Sequence, residues 1–229
     1  MNRVFLAVAA GCLLMLAGCG SGYHARDMPL RTTLVNPAVL QKGTGDEALY
    51  RYINKSVDVH KYHAILLDPV MITKDGALDA ETRANYQKLA DNAYSLLAAE
   101  LGKDYRLVKA PEAGAMRLQM GILDADPSSP VRNVLSSLTP IGMVVNLVTY
   151  SSTGKPSGVG EISMEMKVTD AVTGELLGAA VDRRVGGENP DSVVDTWVDA
   201  NAGLQWWAKR TRFFLCMART GGVGCEKPE

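Results

Sequence analysis

Four consecutive residues carry chemistry that their order and position specify. Leu16-Ala17-Gly18-Cys19 closes an apolar run, Val4 to Leu16, that follows Arg3. A run of that length is too short to cross the ~30 Å core of a bilayer as a stable helix, and it matches the core of a cleaved signal sequence. Arg3 supplies the positive end that stays in the cytoplasm. Ala17 and Gly18 are small, which lets a peptidase approach the backbone at the cut. The Cys19 thiol can then take a diacylglyceryl group, and the amine freed by cleavage can take a further acyl chain. One chain holds only marginally, whereas two or more anchor stably. The stretch therefore predicts a membrane-attached protein with a lipid on Cys19. Gly20 stands where an inner-membrane retention signal typically has Asp. That favours the outer membrane, with the chain on its periplasmic side.

The remaining reactive residues are few. Removing residues 1–18 takes Cys12 away and lipidation blocks Cys19, leaving Cys216 and Cys225. In an oxidising periplasm these two can bridge, because Gly221-Gly222-Val223-Gly224 lets the chain turn back; the alternative is two free thiols. His60-x-x-His63 is a histidine pair, but residues three apart on a strand point to opposite faces and do not converge on a metal. Gly154-Lys155 fails as a phosphate loop, since Pro156 and Thr149 occupy positions that need Ser/Thr and Gly. Ser157 lacks the small-residue frame of a nucleophile elbow. Asp124 and Asp126 read as turn acids before Pro127, and Asp182-Arg183-Arg184 as strand-end ion pairing. No catalytic residue, metal site or cofactor is assigned, and the sequence is not read as an enzyme.

Trp206-Trp207, with Phe213-Phe214, forms the densest aromatic cluster. Adjacent tryptophans on a helix lie about 100° apart, so one reads as a core anchor and the other as a rim. The sharper alternative makes Trp206 a contact residue for a partner or the membrane interface. The second apolar surface candidate is Val131 to Ser152, a stretch without charge between Arg132 and Lys155. Its Ile141, Val144, Val145 and Val148 belong either to a buried crossover or to a surface that meets a partner or the membrane. Formal charge is -1, and losing Arg3 makes it -2. No field of that size steers nucleic acid toward the chain.

These residues must be held by elements that the pattern specifies. Residues 1–18 read as signal peptide, 19–47 as a lipid-anchored tether and 48–229 as a periplasmic domain. Ala64-Ile65-Leu66-Leu67 is a continuous apolar run that suits a strand buried on both faces, ended by Asp68-Pro69. Asp79 caps a helix in which Tyr86, Leu89, Ala90, Ala93, Leu97 and Leu101 recur, with Gly102 at its end. Tyr105 to Val108 reads as a short strand. Met116, Leu118, Met120 and Ile122 alternate with polar residues or Gly, as in a strand with one buried face. Ile162 to Val168 alternates likewise, turns at Thr173-Gly174 and returns over Leu176 to Val185. Pro190 opens the last helix, with Asp191 or Ser192 as cap. Two helices over a mostly antiparallel sheet make a two-layer α+β domain; the sheet is mixed if the strand before the long helix pairs in parallel.

The lipobox, Tyr50-x-Tyr52, the stretch Tyr62 to Val70 with Leu67-Asp68-Pro69-Val70, and the Trp197 helix together resemble a group of uncharacterised bacterial lipoproteins, domain of unknown function 3313. The resemblance covers most of the mature chain. It implies a periplasmic domain on a lipid anchor and transfers no catalytic residue. The expected function is therefore a non-catalytic envelope module that binds or scaffolds an envelope protein or a second copy of itself. The alternative is a domain that binds a small molecule, a lipid or a glycan.

Overall fold

The computed structural model describes residues 23–24, 28–45, 47–128, 159–186 and 196–228. Cys19, the segment carrying Ile141, Val144, Val145 and Val148, and the Gly154 to Ser157 stretch lie outside them. Two helices cover one face of a mixed sheet, an α+β fold. In chain order the strands are β1 (Tyr23–His24), β2 (Gln41–Lys42), β3 (Tyr50–Ile53), β4 (Ala64–Leu67), β5 (Met71–Ile72), β6 (Arg106–Val108), β7 (Ala115–Asp126), β8 (Glu161–Asp170) and β9 (Leu176–Val185). Helix α1 (Ala80–Leu101) lies between β5 and β6, and α2 (Val198–Thr220) follows β9.

The sheet runs β2-β3-β9-β8-β7-β4-β6, with β1 also on β9 and β5 also on β7. Pairing is antiparallel from β2 to β7 and parallel at β4–β7, β5–β7 and β4–β6. The parallel part follows from α1, because a strand that returns through a helix re-enters in the same direction. Pro69 interrupts the line beside β7. The ladder ends at Leu67, the Asp68 amide still donates to Leu118 O at 3.0 Å, and pairing resumes at Met71 opposite Gly121. At the β8–β9 turn, the Asp170 carboxylate accepts from the Val172 and Thr173 amides, and Gly174 takes φ +74°.

The core lies between the sheet and the helices. From β7 and β8 it takes Met116, Leu118, Met120, Ile122, Ile162, Met164 and Met166. From α1 it takes Tyr86, Leu89, Ala90, Ala93, Leu97 and Leu101, the spacing read from the sequence. Asp79 caps α1, accepting from the Thr82 amide at 2.7 Å. The helices touch at Asn92, whose amide donates to Asn201 Oδ1 at 2.8 Å. Two expectations change. Helix α2 is described from Val198, with Trp197 in the cap position, and the expected start at Pro190 with Asp191 or Ser192 falls outside the described residues. Strand β7 is longer than the alternation suggested and is not covered on one face alone. Leu123 is fully buried yet lies outside the helix-facing core, and the register shifts between Ile122 and Asp124. Among the described residues no helix is long and apolar enough to cross a membrane.

Helix α2 comes close to the sheet at Gly203, where a Cβ would lie 2.6 Å from Ile162 Cγ2. Gly203→Leu should therefore push the helix off β8 and cost about 1–3 kcal/mol or more. Leu97→Ala, a truncation at a 1 % exposed position, should cost about 2–5 kcal/mol. Urea denaturation checks both; a wild-type midpoint for Gly203→Leu would refute the close approach.

Candidate functional site

The alternation that sends Ile162, Met164 and Met166 toward the helices sends Ser163, Glu165 and Lys167 to the other face of β8. Glu165 sits there in register with Gly121 on one side and Val181 on the other, and it is 0 % exposed. A carboxylate taken out of water needs partners, and here they come from the N-terminal segment rather than from a cation. Thr32 Oγ1 donates to Oε2 at 2.6 Å, the Thr33 amide at 2.8 Å and the Leu34 amide at 3.1 Å. Thr33 Oγ1 donates to Oε1 at 2.7 Å. Burial alone would push this carboxyl up; the hydroxyl and amide donors of Thr32 and Thr33 outweigh it and hold the group below its ordinary value. Gly121 leaves the room, since a Cβ there would lie 2.8 Å from Thr73 Oγ1 and 3.1 Å from Glu165 Oε1. The segment is fastened on either side as well. Arg31 pairs with Asp75 at 2.5 Å and donates to Leu123 O at 2.9 Å, and Tyr50 OH donates to Met28 O at 3.0 Å.

A second buried acid organises one end of the sheet. Asp199, in the first turn of α2, accepts from Ser128 Oγ at 2.5 Å and from the Gly160 amide at 3.0 Å. The Ser128 amide donates to Thr196 O at 2.6 Å and the Gly186 amide to Gly160 O at 2.9 Å. Gly186 is pressed against the acid, with a Cβ position only 2.2 Å from Asp199 Cγ. Ser128, Gly160 and Gly186, three distant points of the chain, are thus gathered around one carboxylate. Neither Glu165 nor Asp199 stood out in the sequence. A polar residue on an alternating strand reads as solvent-facing, and an acid in a first helical turn reads as a partner of the helix dipole.

The tryptophan pair divides as its angular separation requires. Trp207 is buried in the core, and Trp206 is half-buried with the Arg184 guanidinium 4.1 Å from its ring. Arg210 lies 5.5 Å from the same ring and 4.4 Å from that of Phe214. Burial, together with the nearby Arg210, holds Arg184 below its ordinary value against the opposing pull of Asp182. Asp182 accepts from the Leu49 amide at 3.1 Å, while Arg183 Nε bonds Glu161 Oε2 at 2.9 Å. Asp124 is a structural acid, taking the Lys74 ammonium and the Tyr86 hydroxyl. His60 lies in a 3-10 turn, Val59–Lys61, rather than on a strand. Among the described residues no cluster of three metal-ligating side chains forms.

Cys216 and Cys225 are joined in a disulfide, with Cα atoms 5.7 Å apart. The bridge folds the C-terminus over the end of α2 and outlines a concavity of 530 Å³ lined by Glu100, Asp104, Arg212 and Arg219 among others. Its charges largely answer one another: Arg212 Nε bonds Asp104 at 2.7 Å, and Arg219 lies over the Tyr105 ring.

A family model described as "Protein of unknown function (DUF3313)" matches residues 31–211. No curated protein matches the chain. Among solved structures, a variant of the PelC dodecamer from Paraburkholderia phytofirmans is 14 % identical, with 68 % of this chain and 94 % of that one covered at a TM-score of 0.34. A second PelC dodecamer from the same organism is 12 % identical, with 63 % and 84 % covered at 0.34. Protein XCC0632 from Xanthomonas campestris, of the DUF330 family, is 10 % identical, with 70 % and 86 % covered at 0.40.

Glu165→Gln should cost about 1–3 kcal/mol, because the side-chain amide turns a donor toward Thr32 and Thr33. It should also expose the Arg31 peptide bond to trypsin. The Glu165 carboxyl is lowered in the folded state, so its contribution is fully present above the ordinary glutamate value and is lost as pH falls through the lowered one. Urea titrations should thus show the gap between wild type and Glu165→Gln closing in acid. Replacing Cys216 and Cys225 together by Ser should cost about 2–3 kcal/mol, as expected for so short a loop.

Proposed function

This chain belongs to the DUF3313 family of proteins of unknown function, and we propose that it is a lipid-anchored protein of the bacterial envelope. In this reading it is a non-catalytic binding or scaffolding module, held by acylated Cys19 at the periplasmic side of the outer membrane. The observation that carries the reading is the pairing of the Leu16-Ala17-Gly18-Cys19 lipobox with the buried carboxylate of Glu165, which seizes residues 32–34. The chain between the cysteine and this latch is only about a dozen residues and spans at most ~45 Å. A lipid on Cys19 would therefore keep the domain at the membrane rather than let it range across the periplasm.

The partner is an envelope protein or a second copy of the chain. Half-buried Trp206, with the Arg184 guanidinium over its ring, and exposed Phe214, with Arg210 beside it, offer the kind of aromatic surface that anchors protein contacts. The concavity beneath the disulfide favours a second reading, binding of a small molecule, lipid or glycan. Its mutually paired charges make it the weaker of the two.

Cys19→Ser tests the anchor. The variant should accumulate as uncleaved precursor or soluble protein and lose partitioning into detergent. Recovery of the variant in the membrane fraction at wild-type size would overturn the reading.

A further inference from the structure

The path of the N-terminal chain fixes more than attachment. Strand β1 pairs antiparallel with the end of β9, Tyr23 opposite Val185 and His24 opposite Arg184. Tyr23, the first residue of β1, therefore sits at the Val185 end of β9. Only Gly20, Ser21 and Gly22 separate Tyr23 from Cys19. Four Cα steps reach at most ~14 Å. The domain is much longer than that. Strands β8 and β9 each run for 10 residues, about 30 Å, to the hairpin at Val172.

From this geometry we infer that the domain presents one defined end to the lipid surface: the end of the sheet formed by Val185, Gly186, Gly160 and Ser128. The inference rests on the lipid-anchor reading of Cys19. A lipid within ~14 Å of Tyr23 cannot reach the hairpin end of a sheet about 30 Å long. Further along, Met28 is held by Tyr50, Arg31 by Leu123 O and Asp75, and Thr32 to Leu34 by Glu165. The opposite end carries the exposed Val172 tip and the Cys216–Cys225 disulfide.

The test uses the full acylated protein on phosphatidylethanolamine and phosphatidylglycerol vesicles that contain a lipid spin-labelled at the headgroup. A fluorophore is attached at Thr196→Cys, an exposed position at the Val185 end, or at Val172→Cys, at the hairpin tip. Flotation with the vesicles is measured first. Strong quenching at 196 and little at 172 is the expected result, and a spacer inserted between Gly22 and Tyr23 should weaken the quenching at 196. Flotation with equal quenching at the two positions, or stronger quenching at 172, would overturn the orientation while leaving the anchor intact. Failure of the acylated protein to float would overturn the anchor, and the orientation with it.

Discussion

The Glu165 carboxylate is buried without a cation, and much of the structure follows from that constraint. An ion in the interior is tolerated only when its lone pairs are met. Here hydroxyls and amides of residues 32–34 meet them, so these residues must cross the sheet face opposite the helices. Among the described residues, the sheet thus gains partial cover on its second face from a short irregular segment. The same crossing delivers β2 to β3 and sets Arg31 over β7, while Thr73 and Glu165 leave the Gly121 position no room for a side chain.

Elements specified by neighbours in sequence were legible, and elements specified by distant partners were not. The cap of Asp79, the apolar stripe of α1 and the Thr173-Gly174 turn are local, and residue types suffice for each; the Cys216–Cys225 bridge is local too, and the structure decides it against two free thiols. The break at Pro69 was legible too, though its sequel was not: the ladder resumes at Met71 because β7 is long enough to offer a second register beyond the gap. The sequence left the sheet open between antiparallel and mixed, and α1 resolves it by returning the chain parallel to β4. Glu165 and Asp199 were missed because their partners lie far along the chain and periodicity carries no information about them.

The second buried acid makes a contrast with the first. Asp199 joins no distant terminus but holds the ends of β7, β8 and β9 to the start of α2. The two carboxylates thus divide the work, one fixing a segment across the sheet and the other squaring off one end of it. The aromatic edge of α2 is rigid for a related reason. Guanidiniums set over ring faces in a partly dry environment recover from the ring quadrupole part of what they lose in hydration. Arg184 and Arg210 are placed in this way around Trp206 and Phe214.

The pairing of the first strands with the last also governs the order in which the chain can mature. Thr32 and Glu165 are 133 residues apart, and β1 and β3 both wait for β9. Closing so long a loop before other contacts exist is entropically costly and slow. The leading part of the chain therefore stays unpaired until nearly all the rest has followed it. For a polypeptide that must thread through a narrow channel before it folds, such late closure is an advantage. The topology itself defers compaction until β9 is available to pair.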